Sequence, residues 1–139
     1  MTLMQTIQAT QVRNSFSTVI DTVVREKPVM FKRNRDNLML MSDTQVLDLV
    51  QQCSFKAVYI REDDGSTTAT LDGFDLVVNA RDPEQANDEL ADELIEYAQD
   101  YFDQFQLYYS SKNRKQHFPY ILRVLLAQDL NEVKGLIHA

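Results

Sequence analysis

Apolar residues change their spacing several times along the chain, and each change marks an element. After a short β-type run at the start, Val12, Phe16, Val19, Ile20, Val23 and Val24 recur at helical spacing. Arg13, Asn14, Ser17, Thr18, Asp21 and Arg25 fill the remaining surface, Thr10 is placed to cap the helix, and Pro28 stops it. "VMFKR" and "LMLMS" then flank the polar turn "NRDN", which predicts a β-hairpin. Ser42 or Asp43 can cap a second, short helix, "TQVLDLVQQC". The order is βαββα.

The pattern restarts at "FKAVYIRED", turns at "DDGS", and resumes in "TTATL" and "FDLVVNA", where Phe74, Leu76, Val78 and Ala80 alternate with Asp75, Val77 and Asn79. Asp82 followed by Pro83 predicts a helix start, since an aspartate caps and a proline fits the first helical position. From Ala86 a stripe of Leu90, Leu94, Tyr97, Ala98, Tyr101, Phe102 and Phe105 carries this long helix forward. "PYILRVLLA" and "LNEVKGLI" read as two short helices, with Asp129 capping the second. The fold class is therefore α+β: an N-terminal βαββα unit over 1–53, and over 54–139 an antiparallel sheet with one long helix and short C-terminal helices.

Charge reinforces this division. Of the 139 residues, 1–61 hold eight Lys/Arg against five Asp/Glu, a net +3, and 62–139 hold six against sixteen, a net −10, which together give −7. Two partners of opposite sign are the expectation. No apolar run approaches the roughly 18 residues needed to cross a membrane, so residence in the cytoplasm is expected, without a membrane partner.

Enzymatic chemistry finds few residues to use. Cys53 is the single cysteine and His117 and His138 the two histidines, too few for a familiar metal site, so neither metal nor cofactor is expected. Cys53 reads as a buried structural thiol and His117 as an ordinary surface or interface histidine. Asp63 and Asp64 are adjacent in a turn and lack the spacing of a calcium loop. Three glycines and no phosphate-cradling loop leave little room for a nucleotide cofactor. The chain is expected not to be an enzyme.

Binding features remain. Lys32 and Arg33 end a strand, Arg35 stands in the following turn, and Arg13 is expected in the first turn of the first helix, where the helix end favours phosphate. This cluster is either a solvated hairpin tip or a DNA-binding face, and Arg13 tips the balance to DNA. The acidic run "DPEQANDELADELIEYAQD" is either the solvated side of a helix or a docking surface for a basic partner. Its tyrosines serve core or interface equally well.

With these residues identified, the first half resembles the N-terminal domain of the Phd/YefM antitoxin family. The likeness lies in the initial strand, "ATQVRNSFSTVIDTVV" in the place of the family's Ser/Ala-Arg-x-x-Leu helix, "PVMFKR" ending in arginine, the hairpin, and "LMLMS" before a helix. It implies a homodimer that binds palindromic operator DNA and represses its own toxin–antitoxin operon. By position Arg13 and Arg33 correspond to the family's DNA-contacting arginines, while Lys32 and Arg35 join them on charge alone. Phe16 replaces the usual leucine, and "NRDN" lacks the common Asn-Gly turn.

The second half, from "FKAVYIREDDGS" to about Tyr109, is similar to the ββ(β)α core of HicB-like antitoxins, with the order of modules reversed. The resemblance implies that the acidic half covers a cognate toxin, expected to be basic, with Glu93, Glu96, Tyr97, Asp100 and Tyr101 as the candidate contact set. The competing expectation is an adaptor that dimerises through its first half and binds an unrelated basic partner through its second.

Overall fold

The computed structural model describes residues 2–139, and the chain divides into two compact units, 1–49 and 50–139. The division falls inside a helix, ahead of the Cys53 boundary expected from composition.

In the first unit, β1 (Thr6–Gln8) runs parallel to β2 (Val29–Arg33), which pairs antiparallel with β3 (Asp36–Leu40), giving sheet order β1-β2-β3. Two helices, α1 (Ala9–Asn14) and α2 (Phe16–Arg25), join β1 to β2, and α3 (Asp43–Val50) follows β3. The single helix expected after Thr10 is thus two, and it begins earlier. Gln8 occupies the N-cap without a side-chain bond, and Thr10 lies within α1. The break is at Ser15, with φ −126° and ψ 38°, where two consecutive polar residues that compete with the helix backbone meet. It keeps Val12, Val19 and Val23 buried but turns Phe16 outward, 57% exposed.

Of the two candidates for the cap of α3, Ser42 is the residue used. Its Oγ accepts from the N–H of Gln45 at 3.2 Å, and Gln45 Oε1 accepts from the N–H of Ser42 at 2.9 Å, a reciprocal box at the helix start. The β2–β3 turn is shorter than "NRDN": Arg33 pairs with Asp36, leaving Asn34 and Arg35 as the loop. Asn34 takes φ +55°, a left-handed conformation that asparagine tolerates without a following glycine.

In the second unit, β4 (Phe55–Arg61), β5 (Thr67–Leu71) and β6 (Leu76–Ala80) form an antiparallel meander, and α4 (Pro83–Asp103) packs across it. Gly65, at φ +88°, makes the first turn possible, and Asp64 Oδ1 accepts from the Ser66 N–H at 2.9 Å. Hydrogen bonds from Ser66 hold the Asp64 carboxyl below its ordinary pKa. Asp82 caps α4 as expected, accepting from the Gln85 N–H at 2.8 Å. The long helix breaks at Gln104 and resumes as α5 (Phe105–Tyr109).

After a 3₁₀ turn (Lys115–His117) come α6 (Phe118–Leu125) and α7 (Leu130–Gly135), the latter capped by Asp129 through the Glu132 N–H at 2.9 Å. The chain then makes a strand with no sequence signal of its own, β7 (Ile137–His138), parallel to the start of β4, so the sheet order is β6-β5-β4-β7. The core of this unit lies between sheet and helices: Phe55, Ala69, Leu71, Ala86, Leu90, Leu94, Ala98, Tyr101, Ile121 and Val133 are all at most 2% exposed.

Candidate functional site

Lys32, Arg33 and Arg35 stand at one end of the first unit's sheet, while Arg25 and Lys27 precede the opposite end of β2. Gln8, the last residue of β1, pairs with Lys32, so α1 starts beside the strand end that carries Lys32 and Arg33. The pleat sends those two side chains to opposite faces of the sheet, and Arg35 stands in the loop beyond. Arg13, Lys32, Arg33 and Arg35 are all exposed, and none forms an ion pair among the described residues.

Arg13 is in the last turn of α1, not the first, because the helix starts at Ala9. The phosphate argument attached to the start of α1 is therefore corrected. The helix start near Arg13 is that of α2, whose N-cap Ser15 makes no side-chain cap bond and whose first turn has no acidic residue. Its first N–H groups point out from the end of a ten-residue helix.

In the second unit, Glu93, Glu96 and Asp100 are exposed on α4 at intervals of three and four, so they share one face. Asp103 continues it, and none of these carboxylates forms an ion pair among the described residues. Phe102, 55% exposed, and Leu107, 62% exposed, add uncovered apolar surface near its end, which the charge pattern alone did not single out. Counted by structural unit, residues 1–49 hold six basic against five acidic side chains and 50–139 hold eight against sixteen. Acidity is concentrated in the second unit, while the first is nearly balanced apart from its hairpin.

The two tyrosines of the candidate set behave differently from the carboxylates. Tyr101 is 0% exposed and its hydroxyl donates to the Arg114 carbonyl at 2.8 Å, so it belongs to the core and not to a contact surface. Tyr97 is half-buried in a network that sequence spacing could not have revealed. The Gly73 carbonyl can only accept, so His117 Nε2–H donates to it at 2.8 Å, which leaves Nδ1 to accept from the Tyr97 hydroxyl at 2.8 Å. Tyr97 in turn accepts from Arg114 Nη1 at 3.0 Å, and the Arg114 guanidinium lies over the Tyr97 and Tyr108 rings at 5.4 and 5.3 Å. The His117 ring stacks on Phe74, with centroids 4.1 Å apart.

His117 is thus a buried residue, 8% exposed, where an ordinary surface or interface histidine was expected. Burial pushes its pKa below the ordinary value, with the Gly73 hydrogen bond opposing and Arg114 assisting. Burial also raises the Tyr97 hydroxyl pKa, against the pull of Arg114. Cys53 is only partly buried, contrary to expectation, and loss of solvent raises its thiol pKa, which keeps it a weak nucleophile. Among the described residues no group of His, Cys, Asp and Glu side chains could hold a metal ion, and no helix is long and apolar enough to cross a membrane.

Comparison with known proteins gives this arrangement a context. None of the curated proteins matches the chain. A crystal structure from Syntrophomonas wolfei subsp. wolfei, described as the antitoxin part of an inferred toxin/antitoxin system, is 51% identical, covers 98% of each chain and superposes with a TM-score of 0.92. The model of the PHD-like family, described as antitoxin of toxin-antitoxin, RelE/RelB, matches residues 1–139. The whole chain, both units included, therefore belongs to the PHD-like family of toxin–antitoxin antitoxins.

Proposed function

We propose that this antitoxin works through its two units separately: a dimer of the first represses the chain's own operon by binding a palindromic operator, and the second neutralises the toxin by direct occlusion. The observation that carries the first part is the unpaired basic tip of a small unit with an incomplete core. Val12, Val19 and Val23 are buried there, whereas Phe16, Val24, Leu38, Met39 and Leu49 are between 42% and 73% exposed. A unit of roughly 50 residues is near the lower limit for an independent core, and a second copy is what completes such cores. A groove of about 530 Å³ beside Ile7, Val19, Pro28, Val29 and Met30 offers it a seat.

The element order β1-α1-α2-β2-β3-α3 supports a Phd/YefM-type dimer, and the β4-β5-β6-α4 order a HicB-like core. Two copies of the tip would present Arg13 and Arg33 twice, with Lys32 and Arg35 adding phosphate contacts. The toxin would be basic and would meet Glu93, Glu96 and Asp100, with Tyr97 at the margin and Tyr101 supporting from below. The family match favours this reading over an adaptor with an unrelated partner.

Binding to the DNA upstream of the chain's own reading frame tests the proposal. Affinity should fall steeply with salt, and Arg33→Ala should cost about 1–3 kcal/mol if it reads a base. Salt-insensitive binding, or equal affinity for an unrelated duplex, defeats the repressor role. For the toxin, co-purification with the adjacent gene product should be lost in Glu96→Lys/Asp100→Lys, and retention by that variant defeats the acidic-face role.

A further inference from the structure

We propose that the toxin docks on the open edge of β6 by adding an extended segment of its own to the sheet, with basic side chains at alternate positions lying along α4. The inference rests on the toxin-neutralising reading above and adds to it the mode of contact and the chemistry of the segment.

The carrying observation is a row of unused backbone groups. The Glu62 N–H donates to the Ser66 carbonyl and the Asp72 N–H to the Lys56 carbonyl, each at 2.8 Å, so the even-numbered residues of β5 turn their N–H and C=O toward β4. Thr67, Ala69 and Leu71 therefore turn theirs toward β6, where they meet Ala80, Val78 and Leu76. The N–H and C=O of Val77 and Asn79 are left pointing away from the sheet, without a backbone partner among the described residues. Natural edge strands are ordinarily closed to newcomers by proline, lysine or a bulge. β6 reads "LVVNA", pairs with β5 residue for residue from Leu76 to Ala80, and shows Val77 64% exposed, so it has none of these. At the other edge of the sheet, β7 covers the start of β4.

The flank of α4 beside this edge selects the partner. Tyr97 marks that flank, since its ring meets Phe74, just ahead of β6, with centroids 6.3 Å apart. Glu93 and Asp100 stand four before and three after Tyr97, hence on the same side of the helix, with Glu96 next to them. Asp88, about 140° round the helix from Glu93, lies on the other flank and pairs with Lys134 of α7, the helix that leads into β7. Open strand edge and unpaired carboxylates thus share one side of the unit. Of the remaining charges there, Asp75 adds to the acid, Arg81 is exposed and touches Asp82 at 3.4 Å, and Arg114 is bonded to the Tyr97 hydroxyl.

A segment paired to β6 sends alternate side chains to the helix side of the sheet, where lysine or arginine meets Glu93, Glu96 and Asp100. Main-chain bonds to Val77 and Asn79 hold the segment, and the carboxylates choose its sequence. A second copy's β6 in the same place would bring two rows of these carboxylates together, which disfavours it.

Amide hydrogen exchange of the isotope-labelled full chain, alone and with the product of the adjacent reading frame, tests the proposal. In the free chain the Val77 and Asn79 amides should exchange fast, while those of Leu76, Val78 and Ala80, which face β5, exchange slowly. In the complex Val77 and Asn79 should slow by about tenfold or more, as amides entering a strand ladder do. Val77→Pro removes an outward N–H and leaves every bond to β5 in place, a substitution that edge strands tolerate; with an unchanged circular dichroism spectrum it should bind about tenfold more weakly. Val77→Thr keeps both the N–H and the branched shape and should bind as wild type. If Val77→Pro does not fold, exchange in the wild-type complex still decides. A complex that forms while Val77 and Asn79 exchange as in the free chain overturns strand addition and leaves the neutralising role standing. Failure of wild type to form any complex overturns both. Protection of the two amides in the chain alone, growing with its concentration, gives the edge to a second copy and overturns the proposal.

Discussion

Acidification should destabilise the second unit through His117, and the sign follows from the hydrogen bonds. In the native state Nε2–H is committed to the Gly73 carbonyl and Nδ1 is an acceptor for Tyr97. A proton on Nδ1 turns that acceptor into a donor facing a hydroxyl oxygen already bonded to the Arg114 guanidinium, in a site 8% exposed. The charged groups that act on the ring are Arg114, which resists a second positive charge, and Asp75, which favours it, and desolvation outweighs both. The folded pKa thus lies below the unfolded value of about 6.5.

Above pH 6.5 both states are neutral and the contribution is fully present. As pH falls below it, the unfolded chain takes up a proton that the native chain refuses, and stability declines by up to about 1.4 kcal/mol per pH unit until the folded pKa is reached. Urea unfolding between pH 5 and 8, for wild type and His117→Phe, isolates this contribution. Phenylalanine keeps a ring over Phe74 but leaves the Gly73 carbonyl without its donor, so at pH 8 the variant should be less stable by about 1–3 kcal/mol. The gap should narrow toward pH 5. Parallel curves for the two proteins, or a gap that widens on acidification, would refute the neutral-imidazole network.

Two further changes address elements that position the acidic helix and close the sheet. Asp82→Ala removes the side chain that caps α4 and should lower stability by about 1 kcal/mol in thermal or urea unfolding; an unchanged midpoint would deny the cap a role. Ile137→Ala, in the strand that closes the sheet beside Phe55, should cost about 2–5 kcal/mol, and a loss under 1 kcal/mol would show that β7 frays in solution.

The parts of the fold that could be read in the sequence are those whose signal is local. Asp82-Pro83, Asp129 and Ser42 announce helix starts through side chains that bond N–H groups three residues on, and the structure shows each bond. The alternation in "FDLVVNA" likewise gives the faces of β6, because a period of two is fixed by the pleat. What could not be read depends on distant partners. Ile137 and His138 carry no strand pattern of their own and become β7 only because Phe55 and Lys56 lie alongside. The break at Ser15 escaped because the apolar spacing from Val12 to Val19 is the same in one straight helix as in two joined ones.

For the site, the same rule separates charge from position. Net charge needs no coordinates, so the basic hairpin and the acidic α4 were visible at once; the structure leaves Lys32, Arg33, Arg35, Glu93, Glu96 and Asp100 exposed and unpaired among the described residues, whereas Asp88 of α4 is half-buried and pairs with Lys134 at 2.6 Å. Aromatic residues carry no such label. Tyr97 and Tyr101 are four apart on one helix, and a helical wheel gives them the same face, yet one is half-buried and the other fully so. The difference comes from Arg114, far along the chain, whose guanidinium bonds the Tyr97 hydroxyl and whose carbonyl accepts from Tyr101. One residue thus ties both tyrosines to the segment ahead of α6, and with His117 it braces the inner side of α4 while the carboxylates occupy the outer side. The acidic face is consequently displayed on a helix held by hydrogen bonds and rings rather than on a segment that must order when a partner arrives. Under the proposed toxin role, binding through Glu93, Glu96 and Asp100 would carry little ordering cost, so their substitution should act on affinity without changing the fold.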